Sequence, residues 1–336
     1  MFIAADEDGF RRKFSDGLSQ MLSADGLGAF ILVLANSLQG DELRQPLLHA
    51  LEENFDAMKT AGQGSEDDES VFAILATEGV KDQQCWRHRE VGGWELVYNN
   101  MRRLRPERLS AQTFDAISLP FDDQRFNFNR PFLQPEIMWQ GEWSGHDFTV
   151  LYNKFPFAPW HLLIVPDVEA QRPQYLDMRT HAMMWELVCA QQHAMQGFGI
   201  GYNSLGAGAS VNHLHFQGFL RSGPLPVEST HWRHCGGQED YPLKCQATDS
   251  VQQAWQMIDQ FHQHNQPFNL LYRTDVCYLL PRRPQGSVAA ESWAQGIAWY
   301  ESCGVFTLAD QSLFSELSQQ QITQQLGLFA HPMQQL

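Results

Sequence analysis

The sequence predicts an α+β fold in which antiparallel sheets are flanked by helices and the chain falls into two halves. Three observations carry that expectation. The middle third runs strand, strand, helix, glycine loop, strand, an order that lets a helix cover one face of a sheet. A second set of short apolar runs recurs after residue 265. Turn-forming residues separate all of these segments.

From the N-terminus, residues 1–60 alternate charged and apolar positions at helical spacing, most clearly in DELRQPLLHALEENFDAM (41–58). AGQGSEDDES (61–70) reads as an exposed loop, and VFAILA (71–76) and WELVYN (94–99) read as strands of a meander. FTVLYN (148–153) and HLLIVP (161–166) pair around the turn-rich KFPFAPW. The Met/Leu/Ala-rich span 174–197 ends at Gly197 and is expected to be a helix. GYNSLGAGAS (201–210) supplies a loop and VNHLHFQGFL (211–220) a strand. Residues 250–264 read as a helix, while FNLLY (268–272), CYLLP (277–281) and GVFTLA (304–309) form the later strands. The expected units are residues 1–110, a helical segment and meander of undefined role, then 111–225, which hold the site, and 226–336, which complete the fold.

Composition excludes several functions. The chain has 336 residues, 43% of them apolar, which is enough for a large packed core. Its 23 basic and 39 acidic residues leave a formal charge of −16, so nucleic acid and anionic membranes are not expected partners. An anionic small molecule remains open through a local cluster of donors. Six cysteines lie scattered without a CxxC pair, which suits a reducing cytoplasm. The start lacks the pattern of a signal peptide, and no apolar run spans a bilayer.

Chemistry concentrates at 203–217. On a strand, His213, His215 and Gln217 project from one face, while Leu214, Phe216 and Phe219 serve the opposite, buried one. Such a polar row must look onto something polar. One reading is a metal site gripped by two His at i and i+2, which needs a third ligand. The other is nucleophilic catalysis on phosphorus. Neutral imidazole attacks a phosphoryl centre and also leaves it, so a covalent intermediate splits one hard displacement into two. Donors for the phosphoryl oxygens are then required, and Ser210, Gln217, Asn203 and the backbone around Gly206 and Gly208 supply them.

NSLGAGASVNHLHFQ resembles the signature of the histidine triad (HIT-like) superfamily, in the transferase branch where the last His of HxHxH is Gln. The resemblance implies a HIT-like, uridylyltransferase-like fold with two HIT-like halves. His215 would be the nucleophile, His213 a buttress, and Gln217 the holder of a phosphoryl oxygen. Ser210 would serve the bridging or leaving oxygen, and Asn203, with its neighbour Ser204, would contact the phosphates. NKFPFAPWHLLIVP matches the first-strand motif, with Asn153 at the ribose position and His161 opening the second strand. GYNSLGAGASVNHLHFQGFL followed by PLPVE is similar to GDP-hexose phosphorylases. FDDQRFNFNR, LLPRR and WYESCGVFTLA resemble further blocks of that family, bringing Arg125, Asn127, Arg282, Arg283 and Glu301 into the candidate set. Lys154 looks more like diadenosine polyphosphate phosphorylases, and it either meets a phosphate or lies in solvent.

The implied reaction is phosphorolysis of a nucleoside diphosphate sugar, GDP-hexose plus phosphate giving hexose 1-phosphate and GDP. The alternatives are a dinucleoside polyphosphate phosphorylase and a non-catalytic nucleotide binder. Inorganic phosphate is the expected co-substrate, no cofactor is expected, and a homodimer is compatible with the sequence. Some uridylyltransferases carry a structural zinc on a CxxC pair; without that pair no such zinc is expected here. Cys85/His88 and His231/His234/Cys235 have ligand-like spacings but read as ordinary loop residues.

Overall fold

The computed structural model describes residues 1–23, 26–105 and 114–331. Four helices open the chain: α1 (Glu7–Met21), α2 (Leu27–Ser37), α3 (Asp41–Ala61) and α4 (Glu66–Glu78). The last of these corrects the sequence reading, which placed a loop and then a strand there. Ser65 caps α4 by accepting from the Asp68 N–H, and Glu66, Asp67, Asp68 and Glu69 fill the positive end of its dipole. Val71, Phe72 and Leu75 then fall on one helical face and are buried. A run that is apolar enough for a strand becomes a helix because its acidic preface is an N-terminus signal.

Strands β1 (Arg87–Val91) and β2 (Trp94–Tyr98) form a hairpin about Gly92 and Gly93, both with positive φ. The partner of WELVY is therefore RHREV, not VFAILA. A third strand, β11 (Val305–Leu308), lies parallel to β2 and makes a separate three-stranded sheet. It was expected among the later strands of the second half, yet it returns to the first.

The main sheet has eight strands, all antiparallel, in the order β3-β4-β5-β7-β6-β9-β10-β8. They span Ile137–Trp143 (β3), His146–Tyr152 (β4), Leu162–Pro166 (β5), Phe198–Asn203 (β6), Phe216–Leu220 (β7), Gln246–Thr248 (β8), Phe268–Arg273 (β9) and Val276–Pro281 (β10). Pairing of β6 with β9 makes the sheet continuous from one half of the chain to the other. Helix α5 (Met178–Gln191) is shorter than the span 174–197; Asp177 caps it, and a turn at 192–197 leads into β6. Helix α6 (Val251–Gln263) packs beside it. The Gln-rich stretch near the end forms a helix of its own, Gln319–Leu328, capped by Ser318.

In the centre of the sheet, Leu163, Gln217, Gly201 and Leu271 stand in register, so they share a face. Two residues on, Asn203 and Asn269 continue that face as a cross-strand pair. The other face carries Ile164, Phe216, Ile200 and Tyr272 and receives α5, whose His181 meets the Tyr272 hydroxyl at 2.8 Å. One face is thus packed with hydrocarbon while the other buries a polar stripe.

Candidate active site

The strand expected over 211–220 begins only at Phe216. His213 and His215 precede it, and their alternation with Gln217 does not come from a β ladder. Residues 211–215 are held by other means. The Leu214 N–H donates to the Arg172 carbonyl at 2.8 Å, and the His215 N–H donates to Oε1 of Gln174 at 2.9 Å. Nε2 of the same Gln174 donates to the carbonyls of His215 (3.1 Å) and Asn203 (2.8 Å). One buried amide thereby ties the histidine segment to the end of β6. Asn212 pegs the turn from outside, donating to Leu119 and Pro120. Phe219 corrects a second point: Gly218 introduces no bulge, so Phe219 shares the face of Gln217 and stacks on Trp299 at 5.0 Å.

His213 and His215 are both buried, at 1% and 5% exposure, but their hydrogen bonds differ. Nδ1 of His215 lies 2.8 Å from the His213 carbonyl. A carbonyl only accepts, so Nδ1 carries the proton and Nε2 keeps its lone pair. Burial pushes the imidazole down to about 4, outweighing that carbonyl, so the ring is neutral at pH 7. His213 has the opposite tautomer. Its Nδ1 accepts from the Phe128 N–H at 3.1 Å, which leaves the other nitrogen to donate to the Val168 carbonyl. Both of its nitrogens are used, so it is not free to bind a metal. Among the described residues no group of three or more His, Cys, Asp or Glu is arranged to hold one.

Gln217 sits under two donors. The Trp299 indole N–H reaches its Oε1 at 2.7 Å, and Nε2 of His161 lies at 3.2 Å. Nδ1 of His161 accepts from the Phe157 N–H, so Nε2 bears the proton and donates. Both bonds engage the oxygen of Gln217 and so fix which end of the amide is the nitrogen. Trp299 can lie there because a Cβ at Gly201 would run into its indole. Asn203 is 2% exposed; its Oδ1 accepts from Asn269 Nδ2 (2.7 Å) and from the Trp299 N–H (2.8 Å). Its Nδ2 is buried with no partner, an unmet donor in a polar site.

The other candidates divide. Gly206 and Gly208 adopt φ of 75° and 98°, and a Cβ at Gly208 would press on Ala298 at 2.9 Å. Ser210 is half-buried in the same loop. Ser204 serves the fold: its hydroxyl accepts from the Phe268 N–H and donates to the Leu205 carbonyl. Asn153 accepts from the Phe155 N–H through Oδ1 and has its carbonyl held by Asn36 of α2 at 2.9 Å. Lys154 is ion-paired with Asp68 of α4, so it is neither a free phosphate ligand nor a solvated lysine. The N-terminal helices accordingly brace the segment after β4; Gln39 adds a bond from the Trp160 N–H at 2.6 Å.

Arg282, the first arginine of the LLPRR block, is fully buried. It donates to the Ile297 carbonyl at 2.5 Å and lies over the Phe329 ring. Arg283 is exposed. Glu301 caps the short helix Trp299–Ser302, accepting from the Ala298 N–H at 3.0 Å, with its carboxyl raised by burial. Arg125 is exposed and pairs with Asp122, while Asn127 is buried and folds its own turn through Arg125 and Asn129. His231, His234 and Cys235 bond to Ser229 and Val227 within their own loop, and Cys85 sits against Asp41. Gln174 and Asn269 were not singled out by sequence; each is an ordinary residue whose role comes from its position.

A family model described as the GDPGP1-like, N-terminal domain matches residues 92–219. GDP-D-glucose phosphorylase 1 of Macaca fascicularis is 35% identical over 141 residues, which cover 39% of this chain and 34% of that protein. GDP-L-galactose phosphorylase 1 of Arabidopsis thaliana is 31% identical over 153 residues, 40% of this chain and 34% of that one. The match thus spans about a third of the length of these relatives. Yeast Ap4A phosphorylase Apa2 in complex with AMP superposes with a TM-score of 0.49 at 13% identity, covering 74% of this chain and 89% of that one. The residues matched by the GDPGP1-like, N-terminal domain model include Asn153, Asn203, Ser210, His213, His215 and Gln217.

Proposed function

We propose that the protein is a nucleotidyltransferase that phosphorolyses a nucleoside diphosphate sugar, GDP-hexose, through a covalent nucleotidyl-histidine. The observation that carries this reading is the His215 ring, neutral by burial, with Nδ1–H committed to the His213 carbonyl and Nε2 left basic. Nε2 attacks the α-phosphorus of the bound nucleotide. A P–N bond forms, the P–O bond to the β-phosphate breaks, and hexose 1-phosphate departs. The imidazole becomes cationic in that step, and the His213 carbonyl on Nδ1–H stabilises the new charge. An oxygen of inorganic phosphate then attacks the same phosphorus. The P–N bond breaks, GDP leaves, and His215 returns to its neutral tautomer.

The amide nitrogen of Gln217 and the unmet Nδ2 of Asn203 serve the phosphoryl oxygens, and Ser210 serves the leaving oxygen. Asn153 takes the ribose. Lys154, the residue that pointed to dinucleoside polyphosphates, is ion-paired with Asp68, which favours the GDP-hexose reading over that alternative. No metal or cofactor enters the scheme, and six free thiols suit a cytoplasmic setting. The test is mass spectrometry after incubation with GDP-glucose and no phosphate. A GMP adduct on His215 is expected, and it should discharge on adding phosphate. An unmodified protein that still releases GDP in the presence of phosphate would sink the mechanism.

A further inference from the structure

Among the described residues only five large apolar side chains are well exposed, and two of them touch. Phe126 (47% exposed) and Phe132 (64%) have ring centroids 6.2 Å apart. Phe126 also stands edge-on to Phe128 at 5.9 Å, and Phe128 packs on His215 at 5.1 Å and on His213 at 5.6 Å. A continuous aromatic path therefore runs from the proposed nucleophile to solvent. Lone exposed phenylalanines are unremarkable, but a contacting pair joined to a reactive group is a binding feature.

The backbone that presents these rings is firmly folded. Asn127 closes a turn on Arg125 and Asn129, Nδ2 of Asn129 donates to the Val168 carbonyl, and Arg130 donates to the carbonyls of Asp123 and Arg125. Polar groups along 122–130 are largely spent on the segment itself, and Arg125 pairs with Asp122. What remains to offer a ligand is π surface. A flat occupant with an anionic tail fits, its ring outside and its phosphorus at His215.

We infer that Phe126 and Phe132 form the stacking platform for the purine base of the nucleotide whose α-phosphorus meets His215. This rests on the reading under Proposed function and adds where the base lies. In the same block the sequence singled out Arg125 and Asn127 as candidates, and the platform adds the aromatic rings beside them. Base–aromatic stacking tolerates any base, so the platform sets affinity for the nucleotide rather than choice among purines.

The test compares wild type with the Phe126→Ala/Phe132→Ala double variant by calorimetry, using GDP and ribose 5-phosphate as probes. Both side chains are exposed, so folding is not at stake. GDP affinity should fall about 10- to 100-fold in the double variant. Affinity for ribose 5-phosphate, which has no base, should stay the same, and Phe126→Tyr/Phe132→Tyr should restore GDP binding. Equal GDP affinity in wild type and the double variant overturns the platform while leaving the His215 adduct intact. A change in sedimentation mass with unchanged GDP affinity overturns it too, giving the rings to self-association. Failure of wild type to bind GDP overturns the nucleotide reading itself, and the platform with it.

Discussion

Helix α2 and the segment 203–217 are both buried, but they are buried by opposite means. In α2, Leu27 and the run Phe30 to Ala35 present almost nothing but hydrocarbon, each residue 3% exposed or less. Segment 203–217 buries Asn203, Ser204, His213, His215 and Gln217 and holds them through hydrogen bonds to Gln174, Asn269, Phe268, Phe128, His161 and Trp299, leaving Nδ2 of Asn203 unmet. Apolar burial is forgiving of direction, whereas a buried polar group is costly unless its partner stands at the right place and angle. Damage to α2 should therefore appear as lost stability, and damage to the second region as lost chemistry.

The largest expected effect on that contrast comes from His215→Ala. Adduct formation and phosphorolysis should drop by at least about 10³-fold, with little change in melting temperature, since removal of a nucleophile is felt in the chemical step. Wild-type turnover in this variant would show that the polar region is only structural. Leu32→Ala should do the reverse. It should destabilise by about 2–5 kcal/mol in urea titrations while the turnover of the folded fraction is kept. A large fall in turnover per folded molecule would blur the two regions.

Gln174→Ala tests whether position alone matters, because its amide touches backbone and never the substrate in the proposed scheme. A loss of about 10²-fold in kcat is expected, with KM nearly constant, as His215 loses its anchor. Gln174→Glu, which keeps the acceptor for the His215 N–H, should recover part of it.

The pH dependence has a direction fixed by burial. His161 is held down to about 3, and His181, His213 and His215 to about 4, against an ordinary value of 6.5. The unfolded chain therefore takes up protons first. Stability should be full above about pH 6.5 and fall between there and about 4. The rate of adduct formation should show no inflection near 6.5 and decline only toward about 4. An acid limb centred near 6.5 would mean that His215 is solvated. The smallest effect belongs to Lys154→Gln, which should cost about 1 kcal/mol through loss of the Asp68 pair and leave KM for the nucleotide unchanged. A rise of about tenfold in KM would return Lys154 to the phosphates.

The same contrast explains what the sequence could and could not reveal. Central strands and long helices were legible because β5 and β10 are continuous apolar runs, β4 and β9 carry apolar cores, and α3 repeats at helical spacing. Helix α4 was missed because its apolar core is only three residues wide, so the deciding signal was the cap and acidic turn before it. The site residues His213, His215, Gln217 and Asn203 stood out by type and spacing. Their tautomers did not, since these depend on a carbonyl and an N–H brought in from the fold. The burial of Arg282 was not legible, because a pair of arginines after a strand gives no hint that one will be sealed beneath Phe329. Gln174 left no trace at all: a glutamine in a loop acquires meaning only when two distant backbones close on it.

The parallel pairing of β11 with β2 has a consequence for how the molecule is made. More than 200 residues separate the two strands, so β2 is synthesised long before its neighbour exists. At bacterial or eukaryotic elongation rates the delay is on the order of 10–40 s, during which one edge of the β1–β2 hairpin stays unpaired on the ribosome. Nascent chains in that interval are the form most open to capture by chaperones or by one another.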